Sequence, residues 1–219
     1  MSAALVDALR RIFDLGGPVV LLLGALSVLV LAVVLYKLWQ FTAAGVGRHK
    51  ALRRAVAAWD AGARAQARSD LQNSTSYLRP VIEMAIDGQT DAERLKAEAE
   101  TRFATLERGF RVLDTVAQLA PLLGLFGTVL GMISAFQALQ DAGSQVDPSV
   151  LAGGIWVALL TTAVGLAVAM PTTIVLNWFE ARIDAERVLA GAALRTILAP
   201  TGDADPATQP GATAEPTHA

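Results

Sequence analysis

From Pro148 to Phe179 the chain carries no charged residue, yet Gly153, Gly154, Thr161, Thr162, Gly165, Pro171, Thr172, Thr173 and Asn177 interrupt it. A run this long and apolar suits a membrane-crossing helix, which needs about 20 residues to traverse hydrocarbon roughly 30 Å thick. A simple anchor has no use for so many small and hydroxyl side chains. At helical spacing they let a helix pack closely on its neighbours or line a wet path.

Two other segments are long enough to span, giving candidate membrane helices at 17–39, 115–139 and 150–178. Tyr36, Trp39, Trp178 and Phe179 sit where interfacial aromatics are expected. With 53% hydrophobic and 17% charged residues in 219, the chain is too apolar for an ordinary soluble domain, and it lacks the alternation of a β-barrel. The expected fold is an all-α membrane protein with three transmembrane helices and long helical cytoplasmic extensions. A net charge of -2 argues against nucleic acid. The absence of cysteine excludes thiol chemistry, and His49 and His218 read as surface residues and not metal ligands. No cofactor is expected.

Lys37, Arg48, Lys50, Arg53 and Arg54 follow the first span, Arg102, Arg108 and Arg111 precede the second, and Arg182, Arg187 and Arg195 follow the third. The 140–149 link has Asp141 and Asp147 but no basic residue. The positive-inside rule therefore predicts a periplasmic N-terminus and link, a cytoplasmic middle region and a cytoplasmic C-terminus, despite Arg10 and Arg11. Those arginines also resemble a twin-arginine export signal, but Asp14 and the length of the following apolar run favour a retained first helix.

Leu5, Leu9, Ile12 and Phe13 share one helical face, so residues 1–16 read as an amphipathic periplasmic segment. Residues 40–114 read as a cytoplasmic helical hairpin whose second arm runs into the second span, with breaks near 73–76, 79–80 and 87–88. Residues 179–199 continue as a cytoplasmic helix, and 200–219, rich in Pro, Ala and Thr, read as a disordered tail.

The second span carries Gly124, Gly127 and Gly131, and the third carries Gly154, Ala158, Thr162 and Gly165, each set at steps of three or four residues. Such stripes are helix-packing faces. Whether Thr128, Thr161 and Thr162 bond back to their own helix or hold water stays open at this level. So does the choice between a kink and an exposed carbonyl at Pro121 and Pro171. Asp114, with Gln118 one turn deeper, either hydrates an inner mouth or caps the membrane edge. No Asp, Glu, Lys, Arg or His lies in the interior of a span, so the chain cannot titrate a proton at the midplane by itself. A carboxylate would have to come from a partner. The spans also lack a nucleophile–base set or metal cluster, so no enzyme is expected.

LAPLLGLFGTVLGMISAF from Leu119 to Phe136 and GGIWVALLTTAVGLAVAMP from Gly153 to Pro171 resemble the two signature helices of the MotA/TolQ/ExbB proton-channel family. The three-span layout is similar to its ExbB/TolQ branch. The resemblance implies a homo-oligomer, typically a pentamer, around a central pore in the bacterial inner membrane. It also implies an ExbD/TolR-like single-span partner whose membrane Asp carries the proton, a TonB- or TolA-like protein driven by proton motive force, and surrounding membrane lipids. On this resemblance Thr128 and Thr162 face the pore, with Thr161 beside them. Val157 stands where ExbB and TolQ commonly have Glu, in the pattern G-I-x-E-A-L. The alternative is a non-conducting scaffold whose stripes are only contact faces.

Overall fold

The computed structural model describes residues 2–141 and 148–203. The expected apolar face of Leu5, Leu9, Ile12 and Phe13, the centre of the 140–149 link, and the tail beyond residue 203, which includes His218, lie outside what is described. The described residues form α1 (Ser2–Ala43), α2 (Lys50–Asp60), α3 (Arg64–Gln72), α4 (Arg79–Ile86), α5 (Ala92–Glu107), α6 (Phe110–Asp141), α7 (Pro148–Leu198) and a short 3-10 turn, Thr201–Asp203. Three helical stretches, Gly16–Ala43, Phe110–Asp141 and Leu151–Leu198, are long and apolar enough to cross a membrane. This is an all-α, multi-pass architecture with helical extensions.

Two compact units divide the chain: Met1–Trp39 with Glu107–Arg182, and Gln40–Leu106 with Ile183–Ala219. In the first unit, α1 is two helices joined at Gly17, whose φ of 67° and ψ of -167° are open essentially to glycine alone. Pro18 follows and starts the second helix, because its fixed φ suits a first turn and its missing N–H is not needed there. Val19 and Leu23 of α1, Val116 and Ala120 of α6 and Ala169 of α7 form one buried apolar cluster, with Leu26, Val30, Leu123, Val164 and Val168 packed against it.

α6 and α7 run antiparallel with their backbones almost touching. A Cβ added at Gly165 would lie 2.6 Å from the Ala120 carbonyl oxygen, and one at Gly124 would lie 3.0 Å from the Thr161 carbonyl oxygen and 3.1 Å from the Thr162 Cα. At Gly127 it would lie 2.7 Å from the Thr161 Cβ, and at Gly131 3.2 Å from the Ala158 Cβ. At Gly154 it would collide with Ala135. The two small-residue stripes thus face each other within one chain. Pro121 and Pro171 lie within α6 and α7, and neither interrupts its helix.

The hairpin expectation for 40–114 needs correction. That region holds four helices, and α5 does not run into α6, because Gly109 at φ 94° turns the chain between them. A second turn, at Gly62 with φ 78°, separates α2 from α3. Lys37, near the end of the first span, is buried. It is 1% exposed, with its ammonium 5.5 Å from the centre of the Phe110 ring, which itself stacks on Phe179.

In the second unit, Leu52, Leu71, Leu78, Ile82, Leu95, Phe103, Ile183 and Ile197 form the apolar interior. The Trp59 indole N–H donates to the Ile197 carbonyl, the Arg64 guanidinium stacks 3.8 Å over the Trp59 ring, and Thr201 donates from N–H and Oγ1 to Asp60 Oδ1.

Gly→Ala within a helix ordinarily stabilises by about 1 kcal/mol. Gly165→Ala should reverse that sign and cost about 1–3 kcal/mol, because the carbonyl it strikes belongs to a rigid helix. Gly153→Ala, whose Cβ meets nothing within 4 Å, should be neutral or stabilising. Thermal unfolding of the two variants in detergent checks the contrast; equal midpoints would refute the close-contact account.

Candidate functional site

The polar side chains of the α6–α7 contact are threonines. Thr161 is 1% exposed and sits under Gly127, donating its hydroxyl to the Ala158 carbonyl at 2.7 Å. It is buried in the helix contact, where the absence of a side chain on Gly127 leaves room for it. Thr128 and Thr162 are both half-buried. The Thr128 hydroxyl donates to Leu125 at 2.6 Å on its own helix, whereas that of Thr162 crosses to the Gly124 carbonyl at 3.3 Å. Gly124 therefore has two roles: its missing side chain lets α7 approach, and its carbonyl receives the Thr162 hydroxyl.

Other candidate positions surround this contact. Ala158 is 4% exposed and packs on Gly131, while Val157 beside it is half-buried. Pro171 is followed by Thr172 and Thr173, whose hydroxyls donate to Val168 and Ala169. Pro171 removes the helical donor of the Ala167 carbonyl, and the two hydroxyls serve the carbonyls that follow it, not that one. Asp114 and Gln118 are exposed, and the Gln118 amide donates to Asp114 Oδ1 at 2.7 Å. Among the described residues, no three His, Cys, Asp or Glu side chains gather as a metal site.

Two spans in backbone contact, bearing threonines but no acid or base, form a polar seam without a proton carrier of its own. The sequence model of the MotA/TolQ/ExbB proton channel family matches residues 59–190, more than half of the chain and all of α6. The chain belongs to the MotA/TolQ/ExbB family. Its similarity lies on the ExbB/TolQ side of that family. It is 46% identical over 63 residues to biopolymer transport protein exbB1 of Vibrio cholerae, covering 29% of this chain and 28% of that protein. Against the Tol-Pal system protein TolQ of Haemophilus influenzae it is 39% identical over 103 residues, 47% of this chain and 44% of the relative. Against the biopolymer transport protein ExbB of Salmonella typhimurium it is 32% identical over 124 residues, 54% and 50% of the two chains. The chain spans half or less of the length of these curated relatives.

The second unit of this ExbB/TolQ-type chain holds a polar cluster that contradicts the surface assignment of His49. That side chain is 4% exposed and lies 2.6 Å through Nε2 from Glu186 Oε2, itself 3% exposed. Tyr77 donates its hydroxyl to Glu186 Oε2 and the Gly47 N–H donates to Oε1, each at 3.0 Å. On its other side, His49 Nδ1 is hydrogen-bonded with the Ser76 hydroxyl at 3.0 Å. The cluster ties α7 to the segments before α2 and α4. A sequence signal for it exists: Glu186 interrupts a stripe of Ile183, Ala190, Ala193 and Ile197, all buried. His49 has no such marker, since it stands in a turn whose burial depends on distant segments.

Burial pushes the Glu186 carboxyl upward, but His49, Tyr77 and the Gly47 N–H outweigh it and hold the group below its ordinary 4.5. A depressed carboxyl contributes stability above its unfolded value, and that contribution is lost as pH falls through the lower folded value. Thermal melts from pH 7 downward should therefore show Glu186→Gln less stable at neutrality by about 1–3 kcal/mol. The variant should also lose less than the parent on acidification. Parallel curves for the two proteins would refute this role.

Proposed function

We infer that this chain is the oligomer-forming subunit of a proton-driven motor in the bacterial inner membrane, with its N-terminus periplasmic and its C-terminus cytoplasmic. Several copies, five on the family pattern, surround a pore lined by α6 and α7. An ExbD/TolR-like partner places a single-span helix in that pore, and its Asp takes up and releases the proton. The motion so produced energises a TonB- or TolA-like protein. The observation that carries this reading is the polar α6–α7 seam in a chain whose spans 115–139 and 150–178 contain no titratable side chain. A threonine can support a hydrogen-bonded path but cannot titrate near neutral pH. The energy scale is sufficient: one charge crossing 100 mV releases about 2.3 kcal/mol.

Val157 favours a second reading. Without the family's usual Glu, the chain could serve as a scaffold that assembles a partner without conducting. Charge at the bilayer centre costs roughly 2.5–3.5 kcal/mol, so Val157 eases insertion while removing an acid from the path. We favour the conducting reading, with the partner's Asp sufficient.

Proton flux into vesicles containing the chain and its single-span partner separates the two. Conversion of the partner's membrane Asp to Asn should lower flux at least about tenfold, equivalent to roughly 1.4 kcal/mol in the barrier. Thr162→Val should also lower flux while the complex stays assembled, whereas a scaffold tolerates it. Unchanged flux in both cases would exclude the motor mechanism. Asp114→Asn, followed over a pH series, should reduce flux if this exposed acid hydrates the inner mouth; full flux at every pH assigns it only to the membrane edge.

A further inference from the structure

The last turns of α7 lie beside α2 and run in the same direction. Glu186 meets Gly47 and His49 just before α2 begins, and further along the Ile197 carbonyl accepts from Trp59 near the end of α2. Between the two helices runs a groove of about 280 Å³, with Leu52, Val56, Leu189 and Ala193 along it, Arg53 towards one end and Asp60 at the other. Leu52 and Ala193 are buried, whereas Val56 and Leu189 are half-buried, so the apolar floor is only partly covered. Arg54 is drawn to Asp70 at 4.0 Å, but the Arg53 guanidinium has no ion-pair or hydrogen-bond partner among the described residues.

The chain is delivered to the mouth of this groove. After α7 ends at Leu198, Thr201 donates from its N–H and Oγ1 to Asp60 Oδ1. Gly202 is pressed against the end of α2, where a Cβ would lie 2.7 Å from the Asp60 carbonyl oxygen and 3.0 Å from the Gly62 N. Residue 204 therefore starts beside Asp60. Residues 204–219 carry Asp205 and Glu215 but no Lys or Arg, and their apolar residues are all Ala or Pro. Such a segment lacks the bulk to build a core of its own. A groove this small has no room for a helix, which is about 10–12 Å across. It does fit an extended chain of small residues, and Pro206, Pro210 and Pro216 favour that form in advance, which lowers the entropy lost on docking.

We propose that the α2–α7 groove is the docking site for the chain's own segment after Asp203, with residues 204–207 lying in it as an extended strand and Asp205 paired with Arg53. Two turns of α2 separate Asp60 from Arg53, about 10.5 Å. Three or four extended residues at about 3.1 Å each cover that distance. Asp205 then lies within reach of the long Arg53 side chain, while Ala204, Pro206 and Ala207 cover Val56 and Leu189. The Thr201–Asp60 bonds and the Gly202 contact fix where the strand starts. Docking is therefore intramolecular and needs little intrinsic affinity, because a tethered segment has an effective concentration on the order of millimolar. An external segment that fits the same groove has to displace it.

The chain contains no cysteine, so a single introduced one reports on the groove. In the full chain in detergent, Ala192→Cys should react with a maleimide at least about threefold more slowly than in a version ending at Asp203. Ala97→Cys, exposed on α5 and outside the groove, should react equally in both. Arg53→Glu in the full chain should restore fast labelling of Ala192→Cys, and adding Asp205→Arg should slow it again. Equal rates with and without residues 204–219 overturn the proposal and leave the groove to another protein. Protection that survives Arg53→Glu overturns the Asp205 pairing. As a second measurement, oxidation of a chain carrying both Ala192→Cys and Ala207→Cys should give a disulfide within one chain. A dimer-sized product in its place assigns the groove to the segment of a second copy and overturns intramolecular docking.

Discussion

The contact between the backbones of α6 and α7 is the constraint on which the first unit depends. Between helices in hydrocarbon no hydrophobic driving force operates, so association relies on van der Waals contact and on hydrogen bonds between helices. Glycine at 124, 127, 131, 154 and 165 supplies the first by removing the side chains that would hold the helices apart. The Thr162 hydroxyl on the Gly124 carbonyl supplies the second. The register that follows buries Thr161, leaves Thr128 and Thr162 half-buried, and turns Leu125, Phe126, Leu159 and Leu166 outward. Those outward side chains suit a hydrocarbon environment.

The second unit is built on a different balance. Its apolar interior is enclosed by short helices, and one carboxylate is buried there with donors around it. Such an acid is tolerated because His49, Tyr77 and the Gly47 N–H all direct hydrogens at it. Removing any one leaves a buried polar atom short of a partner, so the cluster fixes the relation of α7 to the turns before α2 and α4. The membrane-type unit, in contrast, keeps the threonine hydroxyls of α6 and α7 on backbone carbonyls and holds no acid or base in those helices between residues 115 and 178. Hydrocarbon tolerates a self-bonded hydroxyl far better than an ion.

Much of this organisation was legible along the chain. Apolar length marked three spans, small residues at steps of three and four marked the packing faces of α6 and α7, and the two signature segments pointed to the family. The breaks expected at 73–76 and 87–88 fall between α3 and α4 and between α4 and α5. The turn at Gly109 was not legible, because a lone glycine in a helical pattern does not announce a positive φ. Neither was the burial of Lys37 and His49. Their types favour solvent, and what covers them comes from residues far away in sequence.

The sequence by itself determined that the chain is helical and that three stretches can cross a membrane, since periodicity and apolar length are properties of the chain alone. The tertiary structure decided which stripe meets which, that Thr161 is packed away while Thr162 reaches Gly124, and that Glu186 is held by His49. The physical reason is the same in each case. Helical period assigns a residue to a face, but only the register between helices assigns that face a neighbour.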